Sequence, residues 1–460
     1  MMSRFACLFC LLFAACGGSR TKPNVLVVVI DTLRADRLGS MGNQQGLTPG
    51  LDAFAEGAVL FRNAFNHAPW TLPACASILT GQHPLEHGAG GQLGQFRSLD
   101  PLVDTLPGVF AAAGFTTHAI VNVAFLGETF GVTRDFQSVD AEFFSNNVDV
   151  RPAGPTTDAA LTWLDEHEDE PFFLFVHYFD PHAVYNPPQP FRRRFAAPMD
   201  KEDESFVFGT RDQMVALRSG KLDLNPQAIS RAEGLYNAEV AYTDSQVERL
   251  LDGLQARGLD RDTLVIVTGD HGEEFLDHGG FEHGHTVYDE LSHVPLLMRA
   301  PGIQAREVDA TVRHVDLAPT LSEYCGLPRL PGAAGRSLLE LANGGSEDPR
   351  RVLAHGNMWG PPLTSLRDER WKLIVGANES VELYAWREDP GEKRNLAAQN
   401  AGEVKRMAEL LNALSKDMNA LDRGTKANVG AAEMKGAAVA PSIGLGLGLL
   451  AGIGPKGARA

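Results

Sequence analysis

The sequence predicts an α/β fold, a largely parallel sheet flanked by helices, with a small α+β piece at its C-terminal end. Three observations carry this. The runs NVLVVVID (24–31), FFLFVHYFD (172–180) and TLVIVTGDHGEE (263–274) are continuously apolar and each runs into polar, metal-capable residues. Such runs suit parallel strands buried on both faces. Helical spacing recurs between and after them, at 158–166, 235–254 and 314–326, which is the alternation of an α/β chain. After about residue 345 the pattern changes. LTSLRDERWKLIVG and VELYAWRED read as antiparallel strands, and Val404, Met407, Leu410, Leu411 and Leu414 mark a last amphipathic helix.

The ends of the chain read differently. Residues 1–15 carry one Arg, a short apolar run and small residues, the pattern of an export signal too short to span a membrane as a mature helix. Phe13-Ala14-Ala15-Cys16-Gly17 resembles a bacterial lipobox, which makes Cys16 the lipidated residue. The expectation is an exported lipoprotein of the periplasm or outer membrane, touching the membrane by its lipid anchor alone. Residues 424–460 are rich in Gly and Ala and read as a disordered tail. Of the five cysteines, Cys75 and Cys325 lie in the body of the chain, so one disulfide is possible but no zinc spacing is present.

The 460 residues carry a formal net charge of −17. A surface this acidic argues against nucleic acid as a partner. An anionic substrate then needs a local positive centre, such as a metal ion. In open α/β sheets ligands sit at the carboxyl ends of strands, so the three polar strand ends predict one shared site.

HAPWTLPACASILTG (67–81) looks like an active-site turn. Pro73 fits a first helical turn and Gly81 a C-terminal stop. Thr71 then lies at a helix N-terminus, where N–H groups and the helix dipole favour negative charge. It reads either as an N-cap or as a nucleophile, and the company it keeps favours the nucleophile.

That company is specific. NVLVVVIDTLRADRLG, WTLPACASILTGQHPLEHG, HYFDPHAVYNPP, VTGDHGEE, HTVYDELSHVPLL and WKLIVGANESVELYAWREDPGEKRNL stand in this order across roughly 23–415. Together they resemble the sulfatase family of the alkaline-phosphatase superfamily. The resemblance implies an alkaline-phosphatase-like mixed, mostly parallel sheet, a catalytic domain over 23–340 and a C-terminal α+β subdomain over 345–420. It implies a hydrolase of sulfuric or phosphoric esters. Family sulfatases carry Cys or Ser, then x-Pro-x-Arg, and oxidise the first residue to formylglycine. Here the slots hold Thr71 and Cys75, so no formylglycine is expected. Thr in that slot is similar to the nucleotide pyrophosphatases and the phosphoethanolamine or phosphoglycerol transferases.

The resemblance places one divalent metal ion on Asp31, Thr71, Asp270 and His271. Two carboxylates, a hydroxyl and an imidazole suit Zn²⁺ or Mn²⁺ ahead of Ca²⁺ or Mg²⁺. Thr32 stands where most sulfatases have a second Asp. His182 matches a substrate-contacting His, and His285 matches a residue able to protonate a leaving oxygen. The Lys usual beside His285 is replaced by Gly284. Arg34 is a candidate for facing the substrate anion, or a salt-bridged residue. Trp70 lines the pocket or packs in the core. His177, His278 and His283 are read as surface or supporting residues. The expected substrate is a small anionic ester, or a sulfated or phosphorylated glycan or lipid headgroup. Alternatives are a phosphodiesterase or headgroup transferase of the cell envelope, and an inactive protein that binds anionic glycans.

Overall fold

The computed structural model describes residues 22–142, 150–196, 208–219, 221–222, 225–377 and 380–421. The expected export signal, the expected lipidation at Cys16 and the Gly/Ala-rich segment 424–460 lie outside these residues. Nine strands form the main sheet: β1 (Asn24–Ile30), β2 (Val59–Phe65), β3 (Thr116–Val121), β4 (Ser138–Ala141), β5 (Phe172–Tyr178), β6 (Thr263–Gly269), β7 (His293–Val294), β8 (Leu296–Arg299) and β9 (Arg306–Arg313). Their order is β7-β2-β8-β6-β1-β5-β3-β4, with β9 also paired to β2. The centre, β6-β1-β5-β3-β4, is parallel throughout. β8 runs antiparallel to both β6 and β2, so the sheet is mixed, as the family resemblance implies.

The apolar runs are buried on both faces for a periodic reason. Successive strand residues point to opposite sides. Val25, Val27 and Val29 join one core, with helix α1 (Thr71–Thr80). Leu26, Val28 and Ile30 join the other, with α2 (Ala153–Glu166) and α3 (Pro226–Ala256). α4 (Leu317–Tyr324) packs with α1 on the first side. The sequence pattern places the segment now called α3 at 235–254. The helix is longer, because Asn225 caps it by accepting from the Ala228 N–H and Pro226 suits its first turn.

The C-terminal piece is a four-stranded antiparallel sheet, β10 (Val352–His355), β11 (Leu363–Arg367), β12 (Trp371–Gly376) and β13 (Val381–Ala385), in sequential order. Sequence reading missed β10 and ran β11 and β12 together across their tight turn. Helix α5 (Ala401–Leu421) covers this sheet by placing Met407 and Leu411 on Leu353, Leu366, Leu373 and Leu383. The subdomain is pinned to the main sheet by charge. Lys372 Nζ lies 2.8 Å from Asp289 and 2.7 Å from Glu392, and Arg367 also pairs with Asp289. Among the described residues no helix is long and apolar enough to cross a membrane. Cys75 and Cys325 are free thiols, so the disulfide does not form.

Candidate active site

Strand register builds the site. β1 and β6 are parallel neighbours with Ile30 opposite Gly269, so the residues that follow, Asp31 and Asp270, emerge side by side. β5 flanks β1 on the other edge and puts His177 opposite Val29. Asp31, Asp270 and His271 are fully buried, and their ligand atoms lie within 4.8 Å of one another. His271 Nε2 is 3.4 Å from Asp31 Oδ1 and 3.6 Å from Asp270 Oδ2.

The His271 ring is aimed from behind. Its Nδ1 lies 2.9 Å from the Gly272 carbonyl, which requires the proton on Nδ1 and leaves the Nε2 lone pair facing the carboxylates. Asp270 Oδ1 accepts from the His271 and Thr32 N–H groups. Asp270 Oδ2 and both oxygens of Asp31 are buried with no hydrogen-bond partner. Burial, and then Asp270 and Glu273, push the Asp31 carboxyl well above its usual range, and burial pushes Asp270 up too. A cation is the group that satisfies such oxygens, and the residues present fit a divalent metal ion.

Thr32 helps set this corner. It takes φ 54°, a left-handed conformation costly for a β-branched residue, of the order of 1–3 kcal/mol. Its N–H binds Asp270 and its carbonyl accepts from the Tyr236 hydroxyl at 2.8 Å. These two clamps hold the strained turn that turns the chain away immediately after Asp31.

Thr71 is not the N-cap. Trp70 occupies that position with extended backbone and no side-chain cap bond, and Thr71 is the first residue of α1. Its Oγ1 instead lies 3.3 Å from His271 Nε2. The next N–H groups, of Thr71 and Leu72, meet no helical carbonyl, and Pro73 has no N–H. Gly81 ends the helix at φ 70°, where a Cβ would press on Ala318 at 3.0 Å. Thr71 therefore stands at the open end of a fully buried helix, beside the two carboxylates.

The histidines sort differently from the sequence reading. His283 is buried, its ring 4.5 Å from that of His271 and 4.8 Å from that of His182. Its Nδ1 lies 2.9 Å from Glu273 Oε1, and Tyr185 donates to Glu273 Oε2. His283 thus bridges the Asp31–Asp270–His271 corner and His182, a place no spacing signal revealed. Burial, then His271, hold its pKa well below the usual value. His182 lies beyond His283, with its Nδ1 2.5 Å from the Ala183 carbonyl. His285 stands one step away. Its Nε2 lies 2.8 Å from Glu274 and its ring stacks on Trp359. His278 pairs with Glu290, a supporting place as read. His177 is no surface residue: it is fully buried, 3.6 Å from Asp31 Oδ2.

Two candidates fall away from the substrate. The Arg34 guanidinium is wholly engaged, with Asp36, Asp277 and the Glu273 carbonyl, so its salt-bridged reading is the one the structure shows. Trp70 packs against Phe96 and Phe125 and donates its N–H to the Gly356 carbonyl. It is a core residue that ties α1 to the C-terminal piece. Beside it lies a cavity of about 290 Å³, lined by Pro73, Gln92, Gln95, Arg97, His355 and Asn357 among others.

Comparison with known proteins agrees with this geometry. The family model described as Sulfatase matches residues 23–327, and that described as N-sulphoglucosamine sulphohydrolase, C-terminal, matches 277–423. The chain is 27% identical to a Delta 4,5-hexuronate-2-O-sulfatase of Bacteroides thetaiotaomicron, over 84% of this chain and 87% of the relative. Its fold is similar to that of a protein solved in complex with its substrate D-glucosamine-2-N,6-O-disulfate (TM-score 0.73, 20% identity, 88% of this chain and 100% of that one). It is similar also to a phosphonate monoester hydrolase of Agrobacterium radiobacter (TM-score 0.70, 23% identity, 86% and 96%). The central parallel strands ending in Asp31, Asp270 and His271, and the match over residues 23–327, lead to one conclusion: the chain belongs to the sulfatase family, hydrolases of sulfuric or phosphoric esters with an alkaline-phosphatase-like fold.

Proposed function

We propose that this chain is a metal-dependent hydrolase of sulfate or phosphate esters that uses Thr71 as its nucleophile. The observation that carries the reading is the Thr71 hydroxyl, released from any capping role and set 3.3 Å from His271 Nε2 beside unpaired carboxylates. Asp31, Asp270, His271 and the Thr71 oxygen would hold one divalent ion, Zn²⁺ or Mn²⁺ fitting this donor set better than Ca²⁺ or Mg²⁺. When bound, it supplies Lewis acidity and makes a hydroxyl more acidic.

The chain's own residues do the rest. The start of α1 receives the anionic ester. Thr71 Oγ1 loses its proton to solvent and attacks the sulfur or phosphorus in line, and the ester oxygen leaves as its bond breaks. His285, held by Glu274 at 2.8 Å, would pass a proton to that oxygen, and His182 would contact a non-bridging oxygen. Water then cleaves the ester formed on Thr71. Thr has no aldehyde hydrate through which to eliminate sulfate, so both steps are displacements. This chemistry suits phosphorus as well as sulfur. The kinship with sulfatases of sulfated sugars, and the cavity with Gln92, Gln95, Arg97 and Asn357 beside α1, favour an anionic glycan as substrate. Export as a lipoprotein anchored at Cys16 belongs to the same reading, and palmitate labelling lost in Cys16→Ala tests it.

The second reading is a glycan-binding protein without turnover. It is favoured by Cys75 and Gly284, which stand where family sulfatases have cationic side chains. A screen decides between them. The purified protein is offered aryl sulfate, phosphate, phosphodiester and phosphonate with each of Zn²⁺, Mn²⁺, Ca²⁺ and Mg²⁺, beside Thr71→Ala. Turnover that vanishes in Thr71→Ala supports the hydrolase. A folded, metal-loaded chain that turns over none of these esters overturns it.

A further inference from the structure

Asp31 faces two imidazoles, not one. Its Oδ1 lies 3.4 Å from His271 Nε2, and its Oδ2 lies 3.6 Å from His177 Nε2. Asp31, Asp270, His271 and Thr71 already make a four-donor set, so His177 has no place in it. Yet neither ring nitrogen of His177 has a hydrogen-bond partner, and its side chain is fully buried. A buried imidazole with both nitrogens unpaired is costly unless something else completes it.

Cys75 points to what completes it. It follows Thr71 by four residues on α1, so the two side chains lie on one helix face. Cys75, His177 and Asp270 bring one ligand atom each to within 4.8 Å of one another, all three fully buried. Donors about 2.0–2.3 Å from a common tetrahedral Zn²⁺ stand about 3.3–3.8 Å apart, so these three need draw together by no more than about 1 Å. Thiolate, imidazole and carboxylate are a zinc-type donor set, and too soft for Ca²⁺ or Mg²⁺.

We propose that Cys75 and His177 hold a second metal ion of the zinc class next to the first, with the Asp31 and Asp270 carboxylates bridging the two. Asp31 gives one oxygen to each side. The Cys75 thiol loses its proton to solvent as the metal–sulfur bond forms, with no change of oxidation state. The second ion puts positive charge under the buried carboxylates, at the helix position where family sulfatases carry Arg.

The test uses the purified full chain, stripped and reloaded with Co²⁺ or Zn²⁺. Metal bound per chain is measured after dialysis, together with the near-ultraviolet absorption of the Co²⁺ form. Two ions per chain are expected, with a thiolate-to-cobalt charge-transfer band. Cys75→Ala, shown to be folded by near-ultraviolet circular dichroism, should bind one ion and lose the band. His271→Gln should bind one ion and keep it. One ion in the parent chain overturns the proposal, with or without the band, as does a band that survives Cys75→Ala or disappears in His271→Gln. The parent measurement stands even if a variant fails to fold. The inference uses the first metal site of the proposed function but fails separately from it. Ester turnover with one ion and no band sinks only the second site, whereas an inert chain with two ions and the band sinks only the hydrolase.

Discussion

Thr71→Ala separates two roles that look alike in the sequence. A capping Thr replaced by Ala costs about 0.5–2 kcal/mol of stability and leaves chemistry alone. The structure gives Trp70 the cap position and leaves Thr71 Oγ1 facing His271 Nε2 at 3.3 Å. No cap bond is therefore lost, and the expected stability change is below about 1 kcal/mol. Removal of an attacking oxygen is far more severe. At about 1.4 kcal/mol per tenfold, a loss of about 10⁴-fold in kcat or more corresponds to at least about 5.5 kcal/mol of barrier. Thr71→Ser keeps the oxygen and loses a methyl group in the buried first turn, so it should stay within about a hundredfold of the parent, a loss of about 2.7 kcal/mol. The assay is steady-state hydrolysis of the preferred aryl ester, paired with urea unfolding of the same preparations. Thr71→Ala that keeps its activity refutes the reasoning. So does a variant whose fall in activity is matched by a cap-sized loss of stability and is recovered on adding stabilising ligand.

Three other predictions rest on other parts of the molecule. Chelation of the metal-loaded protein should lower its unfolding temperature, because Asp31 and Asp270 are then left as buried carboxylates without a counter-charge; a ligand at 1,000 times its Kd is worth about 4 kcal/mol, and an unfolding temperature indifferent to chelator would contradict the metal site. Lys372→Met should cost about 3–5 kcal/mol in urea unfolding, since it strands the buried Glu392 carboxylate and leaves Asp289 with Arg367 alone. The pH dependence of this variant has a definite sign. Burial alone would raise the Asp289 pKa, but Arg367 and Lys372 outweigh it and hold the carboxyl well below the usual range. Its contribution is therefore present above the ordinary carboxylate pKa and lost as pH falls through the lower folded value, so Lys372→Met should unfold in acid at a higher pH than the parent. Gly284→Lys, which writes the family's missing cation back into the sequence, should reduce stability rather than raise activity: Gly284 sits at φ 80° with a Cβ position 3.0 Å from Met358, and a gain in kcat/KM would refute this.

By itself the sequence determined the sheet core and the meeting of its polar strand ends. Period-2 burial on both faces makes β1, β5 and β6 continuous apolar runs, and a parallel strand end is where polar residues can gather, so Asp31, Asp270 and His271 were legible as neighbours before any coordinate. The order of the surrounding motifs named the family. What only the tertiary structure decided is which side chains face one another. His283 and His177 carry no spacing signal: one is carried by a loop to a place between His271 and His182, the other sits one residue before the end of β5 and reaches Asp31 only because β5 pairs with β1 in one register. Arg34 and Trp70 looked like pocket residues because composition cannot tell a free guanidinium from one held by Asp36 and Asp277, or a pocket wall from a core ring packed edge-on and tilted among Phe96 and Phe125. Local periodicity encodes which face of an element is buried; the identity of the partner across the interface depends on long-range register and loop path, which no single stretch of chain contains.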